Sequence, residues 1–397
     1  MILAGRHDDK TAPEARRSAM PDPPHILHVF PSFGLGGVPI RIATIVNDLG
    51  AAFRHTVIAL DGAFASRSRI EPAVRIAYLD PEIDKARPLQ GAVRVLATLR
   101  RLRPDLLVTY NWGSIEWAAV NRLARVAPHL HLESGFGPDE AERQIGRRVR
   151  ARRFALARAR RVVVPSHSLV RIATEVWRLD PGRIAYVANG VDCERFAAPP
   201  DPALVPGLTR RDGEVVVGTV APLRAEKNLG RLVRAFARVA PGRNARLLLV
   251  GDGPERAGLA RLAAELGIAD RTLLPGHVER PERVYGLMDV FAMSSDTEQM
   301  PNSLIQAMAA GRAVVATDVG DVRRIVAPEN GSFVVPCADE AAYDRALARL
   351  IDDAALRADL AERNQARARE VYPQERMFAA YRAIFAEATS RNGTRAA

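Results

Sequence analysis

Residues 294–317 read Ser294-Ser-Asp-Thr-Glu-Gln-Met-Pro-Asn-Ser-Leu-Ile-Gln-Ala-Met-Ala-Ala-Gly-Arg-Ala-Val-Val-Ala-Thr317. The pattern is strand end, loop, short helix, glycine stop, strand. The run leading into it, from Asp289 to Ser295, is mostly apolar and strand-like. Pro301 suits the first turn of a helix, where a missing N–H has no intrahelical partner to lose. Leu304 to Ala310 are good helix formers, and Gly311 is placed to stop them. Ala313 to Thr317 then reads as a buried parallel strand. A helix begun this way presents unpaired backbone N–H groups and the positive end of its dipole at the carboxyl edge of a sheet, where anions bind. Glu298 lies just before it, and Gln306 falls about two turns in, at ~3.6 residues per turn. A carboxylate and an amide flanking a phosphate cradle suit a sugar nucleotide.

The same alternation of short apolar runs and helical segments extends in both directions and points to doubly wound α/β domains. Strands are expected at residues 25–30, 106–110 and 162–165. A second series follows at 215–220, 247–250, 272–275, 290–293 and 313–317. Between the two series, residues 197–209 (Ala-Ala-Pro-Pro-Asp-Pro-Ala-Leu-Val-Pro-Gly-Leu-Thr) hold four prolines and a glycine, an interdomain linker signal. Helices are expected at 38–49, 229–239, 255–266, 341–369 and 375–388. Gly34, Gly36 and Gly37 follow the first strand and permit close backbone approach to a phosphate or sugar, without forming a full dinucleotide fingerprint.

A chain of 397 residues has length for two domains with a core in each, and 48% hydrophobic residues is ordinary for a globular protein. No uninterrupted apolar run reaches ~18 residues, so no membrane span is expected. Residues 1–24 are polar and lack the apolar stretch of a signal peptide, so a disordered leader is expected. Cys193 and Cys337 have no metal or disulfide spacing and read as free thiols, with a cytoplasmic location as the default. The net charge of +11 is uneven: residues 1–200 carry 30 Lys and Arg against 20 Asp and Glu, residues 201–397 carry 27 against 26. Much of the excess lies between Arg143 and Arg161, a stretch with nine arginines. On a helix Ile145, Val149, Leu156 and Ala159 share a side that Arg152 interrupts. Such a helix either lies on an anionic membrane surface, at ~1 kcal/mol per basic residue near the headgroups, or is a solvated face. With one aromatic, Phe154, and no recognition motif, it does not read as a nucleic-acid site.

Lys227 stands out because the chain has three lysines, Lys10, Lys85 and Lys227, against 54 arginines. A lysine in so arginine-biased a sequence suggests a need for a compact ammonium. It falls between an expected strand and helix, at the carboxyl edge where α/β ligands bind, with Arg224 three residues earlier. Together the two could neutralise a departing diphosphate. No Asp-x-Asp pair and no His/Cys/Asp cluster has metal-ligand spacing, so no metal is expected.

From about His25 to Phe385 the chain resembles glycosyltransferase family 4, retaining enzymes of GT-B fold. The resemblance rests on the segment from Glu298 to Gly311, whose family pattern is Glu, seven residues, Glu. It also rests on Phe33-Gly-Leu-Gly-Gly-Val38, Val187-Ala-Asn-Gly-Val-Asp192, Val217 to Asn228, Leu247-Leu-Leu-Val-Gly-Asp-Gly-Pro254 and Leu274-Pro-Gly-His277. It implies two doubly wound Rossmann-like domains facing a central cleft. An acceptor-side domain would span 25–196, a linker 197–212 and a nucleotide-sugar domain 213–374, with a terminal helix and tail, 375–397, crossing back to the first domain. It further implies that Glu298 contacts donor-sugar hydroxyls, that Asn302, Ser303 and Leu304 offer backbone N–H groups to the phosphates, and that Gly36 and Gly37 line the cleft.

The chain departs from the family pattern at three points. Gln306 replaces the second Glu, which usually binds the nucleotide ribose, so weaker or altered nucleotide binding is expected. Pro222 falls where relatives carry Gly-Arg-Leu, with Arg224 expected to take the cationic role. Ser134 occupies the place of a sugar-contacting histidine, and His131, three residues earlier, reaches the site only through a turn. The resemblance implies an enzyme needing no cofactor beyond its nucleotide diphosphate sugar, with a glycan or lipid-linked acceptor. Front-face attack would preserve the anomeric configuration, with Arg224, Lys227 and Glu298 as the catalytic set. The alternatives are a GT-B sugar-nucleotide isomerase of 2-epimerase type and a degenerate, non-catalytic nucleotide- or glycan-binding member.

Overall fold

The computed structural model describes residues 22–80, 88–140 and 143–390. The expected leader therefore falls almost wholly outside the described residues, as do Lys10, Lys85 and the last seven residues. The first domain holds strands β1 (His25–Phe30), β2 (Arg54–Ala59), β3 (Ile76–Leu79), β4 (Leu106–Tyr110), β5 (His129–Leu132), β6 (Arg161–Val164) and β7 (Ile184–Tyr186). The second holds β8 (Val215–Val220), β9 (Ala245–Val250), β10 (Thr272–Gly276), β11 (Val290–Met293), β12 (Ala313–Thr317) and β13 (Val334–Val335). All the pairings are parallel, in the orders β3-β2-β1-β4-β5-β6-β7 and β10-β9-β8-β11-β12-β13. Both orders reverse direction once, at β1/β4 and at β8/β11, the point where a doubly wound sheet opens a crevice at its carboxyl edge.

Side-chain alternation explains why the strands read as continuous apolar runs. Along β8, Val216 packs into the core on one face, and Val215 and Val217 into the core on the other. Along β1, Ile26 and Phe30 face one layer, and Leu27 and Val29 the opposite layer. Each sheet is thus covered on both faces, as parallel sheets require. The terminal helix, Gln374–Thr389, crosses back and lays Met377, Tyr381, Ile384, Phe385 and Ala388 on the first sheet. The two chain crossings pair with each other where Val191 donates to the Tyr372 carbonyl and accepts from Gln374. The proline-rich connection is packed: Val205 is buried against the second core. The helical stretch expected at 341–369 is two helices, Glu340–Asp352 and Ala354–Val371. Asp353 turns out of the helix between them, and its carboxylate caps the second through the Leu356 N–H.

The arginine-rich stretch corrects the amphipathic reading. Its helix is Gly146–Leu156, and Arg161 lies on β6. Arg152 faces inward and is fully buried. It donates to both oxygens of Glu140, at 3.1 and 2.8 Å, and lies 3.6 Å from Glu133. The rings of Trp112, Phe136 and Trp177 surround it at 4.9 to 5.2 Å. Arg148 pairs with Asp139 and Glu140. Arg160 donates to the Ala388 carbonyl and Arg161 pairs with Glu387, both at the end of the terminal helix. Four of the nine arginines are therefore structural, and Arg143, Arg147, Arg150, Arg153 and Arg158 are exposed.

A polar layer runs through the first sheet. On one face His28 shares hydrogen bonds with Tyr110 at 2.7 Å and His55 at 3.0 Å. On the other face His25 shares one with Thr56 at 2.8 Å, and Thr109 bridges His129 and His131, at 2.7 and 2.8 Å. Burial, reinforced by neighbouring imidazoles, holds His28 well below its usual value, His55 near about 4 and His129 near about 3.

Two outcomes follow from these buried groups. Because the folded-state imidazole values lie below the unfolded ~6.5, the unfolded chain takes up protons first as the pH falls. Stability is intact above about 6.5 and declines below it, by up to ~1.4 kcal/mol per pH unit for each histidine. The melting temperature should fall between about pH 7.5 and about pH 5, where ordinary carboxylates stay ionised; a flat profile would contradict the neutral histidine layer. Arg152→Ala strips Glu140 and Glu133 of their buried partner and should cost about 3–5 kcal/mol in urea unfolding, against little change for exposed Arg153→Ala.

Candidate active site

The two carboxyl edges face each other. Gly37, after β1, stands opposite Asn302, after β11, such that a Cβ on Gly37 would lie 3.9 Å from Asn302 Nδ2. Ser166, after β6, donates to Gln299 at 3.1 Å. Asp321, after β12, accepts from the backbone N–H groups of His167 and Ser168, at 2.6 and 3.1 Å, and from the Ser168 hydroxyl at 2.8 Å. The cleft between the domains is therefore walled by loops from the strand ends of both sheets.

In the second domain, the loops after β8 and β11 meet at the order reversal. Asn228 has a positive φ of 40° and caps the helix Leu229–Val239 through its side chain. The Ser294 hydroxyl lies 3.1 and 3.0 Å from the carbonyls of Lys227 and Asn228. Arg231 donates to the Ser294 carbonyl at 2.7 Å and pairs with Asp296 at 2.8 Å, and Asn228 donates to the same carboxylate. These bonds staple one loop to the other. Beneath them Gly251, at φ 139°, leaves room for the chain: a Cβ there would lie 1.9 Å from the Ala221 carbonyl.

On that frame Lys227 Nζ stands 2.5 Å from Glu298 Oε1, and the Ser295 hydroxyl donates to the same oxygen at 2.9 Å. The pairing does not exhaust either group. An ammonium carries three donors, and among the described residues the second Glu298 oxygen makes no hydrogen bond. The loop is shaped by Gly320, whose φ of 57° and missing Cβ allow close approach to the Glu298 carbonyl, 2.3 Å from where a Cβ would stand. Arg224 is exposed and, among the described residues, pairs with no carboxylate.

The helix Asn302–Ala309 begins one residue later than expected. Pro301 is extended (φ −70°, ψ 118°) and stands at the cap position, and no side chain caps the helix. Its first-turn N–H groups, on Asn302, Ser303 and Leu304, thus face the cleft end without a side-chain acceptor. Asn302 Oδ1 is buried and has no hydrogen-bond partner among the described residues. Gln306 lies on this helix and its amide oxygen accepts from Tyr285 at 2.8 Å. Burial pushes the Tyr285 phenol far above its usual value, so it remains a donor. Among the described residues the Gln306 NH2 group makes no hydrogen bond.

On the first-domain side, Gly36 is extended and begins the helix Gly37–Leu49. His131 does not reach the cleft: it is fully buried on β5, bonded to Thr109 and 3.6 Å from Glu133. The turn that alone would bring it in is not made: β5 runs on as a strand through Leu132, and His131 is a core histidine. The contact expected of His131 with sugar or acceptor is excluded by that burial. Ser134 is half-buried and accepts from Arg41 Nη2 at 2.8 Å. Sequence reasoning missed Arg41, Asn189, Arg231, Tyr285 and Asp321. Arg41 falls four residues after Gly37 on one helix, a spacing that puts the two on the same face, and Arg231 lies in the first turn of the helix that follows Lys227. Tyr285 and Asp321 left no such signal. A cavity of about 660 Å³, lined in part by His167, Tyr186, Met300, Asp321 and Tyr372, opens at the same interface. Lys227 and Glu298 do not line it; they stand in the crevice at the sheet reversal.

A family model described as Glycosyltransferase Family 4 matches residues 35–195, and one described as Glycosyl transferases group 1 matches residues 214–353. A D-inositol 3-phosphate glycosyltransferase of Salinispora tropica is 30% identical over 77% of this chain and 68% of its own length. One of Nocardia farcinica is 32% identical over 63% of this chain and 59% of its own. The chain thus spans about 59% of the length of that Nocardia relative. Among solved structures, the Anabaena HepE protein in complex with UDP and glucose superposes with a TM-score of 0.77 at 17% identity, covering 92% of this chain and all of that one. The sucrose-phosphate synthase of Thermosynechococcus elongatus gives 0.75 at 21%, over 92% of this chain and all of that one. At these identities the likeness shows the shared GT-B fold.

Proposed function

The chain belongs to glycosyltransferase family 4, and from that premise we propose that it is a retaining, metal-independent hexosyltransferase. In this reading it moves a hexosyl group from a nucleotide diphosphate sugar to a glycan or lipid-linked acceptor in cell-surface polysaccharide synthesis. The observation that carries the reading is the Lys227–Glu298 pair held beside an uncapped helix N-terminus at the sheet reversal. HepE has been crystallised with UDP, with UDP and glucose and with UDP-glucose, which supports a uridine diphosphate sugar as the first donor to test.

The diphosphate binds against the first-turn N–H groups of Asn302, Ser303 and Leu304, with Lys227 and Arg224 meeting its charge. Glu298 turns its free oxygen to donor hydroxyls while Lys227 and Ser295 hold the other. In the transfer step the bond from the anomeric carbon to the phosphate oxygen breaks, and the acceptor oxygen bonds to the same face. The acceptor's proton passes to the departing phosphate. Leaving-group charge is the cost that this cationic pocket offsets, and domain closure brings the acceptor side into place.

The non-catalytic alternative draws on Gln306, a neutral group whose oxygen is already bound by Tyr285. The isomerase alternative requires release of an altered sugar nucleotide with no acceptor present. A thermal-shift panel of UDP, GDP and ADP sugars, with product analysis of the donor incubated with and without acceptor, separates these readings. The matching donor at a hundredfold excess over Kd should stabilise the fold by ~2.7 kcal/mol, and Lys227→Ala should abolish the shift. A shift with no turnover, not even slow hydrolysis, would favour the binding protein, and no shift with any nucleotide would count against the donor site.

We also place the protein in the cytoplasm, at the inner face of the membrane. Among the described residues no helix is long and apolar enough to cross one. The support is the exposed arginines of the 143–158 stretch, beside exposed Phe154 and Leu123. Flotation with vesicles containing anionic phosphatidylglycerol should be lost when Arg147, Arg150 and Arg153 are all changed to Gln. Unchanged flotation, or equal flotation with neutral phosphatidylcholine vesicles, would remove the membrane assignment.

A further inference from the structure

Among the described residues four arginines are under a tenth exposed: Arg41, Arg152, Arg231 and Arg246. Three have a carboxylate partner, Glu140, Asp296 and Glu214 respectively. Arg41, 7% exposed, has none among the described residues. Among the described residues its guanidinium donates only to neutral oxygens, through Nη1 to Asn189 Oδ1 and through Nη2 to Ser134 Oγ, and its buried Nε has no hydrogen-bond partner. A buried charge without a counter-charge is expensive, so stability alone does not account for it.

What Arg41 joins does. It lies one turn along from Gly37, on the helix face toward Asn302. Ser134, one of its partners, donates its N–H to Asn111 at 2.8 Å, which ties together the loops after β4 and β5. Asn189, the other, sits in the first crossing between domains. Its side-chain NH2 donates to the Met300 carbonyl at 2.9 Å, and its backbone N–H lies 3.2 Å from the Met300 sulfur. Met300 is followed by Pro301, which has no N–H, and by a helix that no side chain caps. Its carbonyl is therefore a point where the start of that helix is held.

We propose that Arg41 is a positioning residue for group transfer. Its planar fork locks the Ser134 loop to Asn189, and through Asn189 to Met300, so that the first-domain wall of the cleft and the N-terminus of the Asn302 helix keep one relative placement. Two acceptors on different segments are held at once by one rigid donor plane, which a lysine ammonium on a flexible stem does not reproduce. Arg41 supports the alignment of acceptor and donor and leaves nucleotide binding to the second domain.

The test uses the full chain and two variants, Arg41→Lys and Asn189→Asp. The second keeps an acceptor for Arg41 but removes the donor to Met300. Hydrogen exchange should rise about tenfold or more at residues 296–306 in both variants, with other second-domain amides unchanged. UDP affinity by calorimetry should change by no more than about threefold, while kcat for UDP-glucose turnover falls about tenfold with KM nearly constant. Unchanged exchange in Arg41→Lys overturns the inference, as does exchange that rises in Arg41→Lys but not in Asn189→Asp. A loss confined to UDP affinity and KM would make Arg41 a plain binding group and also overturns it. The kinetic measurement alone rests on the glycosyl-transfer reading. If the wild type binds no UDP and leaves UDP-glucose intact, that reading loses its support, and the exchange measurement by itself decides the role of Arg41.

Discussion

Lys227 and Glu298 are 71 positions apart in the chain and 2.5 Å apart in space. They meet because β8 and β11 are neighbours, and these strands are neighbours because the second sheet reverses its winding order there. A carboxyl-edge crevice opens at such a reversal, and both loops that enter it carry charge. Ser294, Asn228, Arg231 and Asp296 then fix one loop against the other, so the ion pair stands on rigid supports. The helix N-terminus that follows β11 is delivered to the same crevice by the same constraint.

The first domain handles charge differently. It buries five of the chain's eight histidines, together with Arg41 and Arg152. Arg152 has carboxylates and three aromatic faces around it, which makes it part of the core of that domain. Among the described residues Arg41 has neither, and its bonds run to the Ser134 loop and to Asn189 in the crossing segment, which in turn donates to Met300 of the other domain. One guanidinium stabilises a domain, and the other links two. Residue type and exposure alone do not separate the two roles; the identity of the acceptors does.

Much of the architecture was legible because parallel strands covered on both faces read as unbroken apolar runs. β1, β4, β8, β11 and β12 carry the residue limits read from the sequence, and so does the helix Leu229–Val239. The misreadings have local causes. The stretch at 341–369 looks helical throughout because Asp353 is as acceptable on an exposed helix face as at a cap. The helix at 146–156 looked amphipathic with a flaw because Glu140 and Glu133, which neutralise Arg152, come from other segments. His131 was considered for the cleft because a turn and a continued strand are both open to that segment until β5 pairs with β4 and β6.

What the sequence determined by itself was the local grammar: strand, loop, uncapped helix, glycine stop, strand, and a rare lysine set between a strand and a helix. These depend on periodicity, propensity and backbone sterics, which act over a few residues. Only the tertiary structure decided which charges met. Lys227 paired with Glu298, Gln306 with Tyr285, Arg152 with Glu140, and Arg41 with Ser134 and Asn189. A side chain's partner across a sheet or a domain interface is set by strand order and domain packing, and no short-range pattern in the chain encodes that.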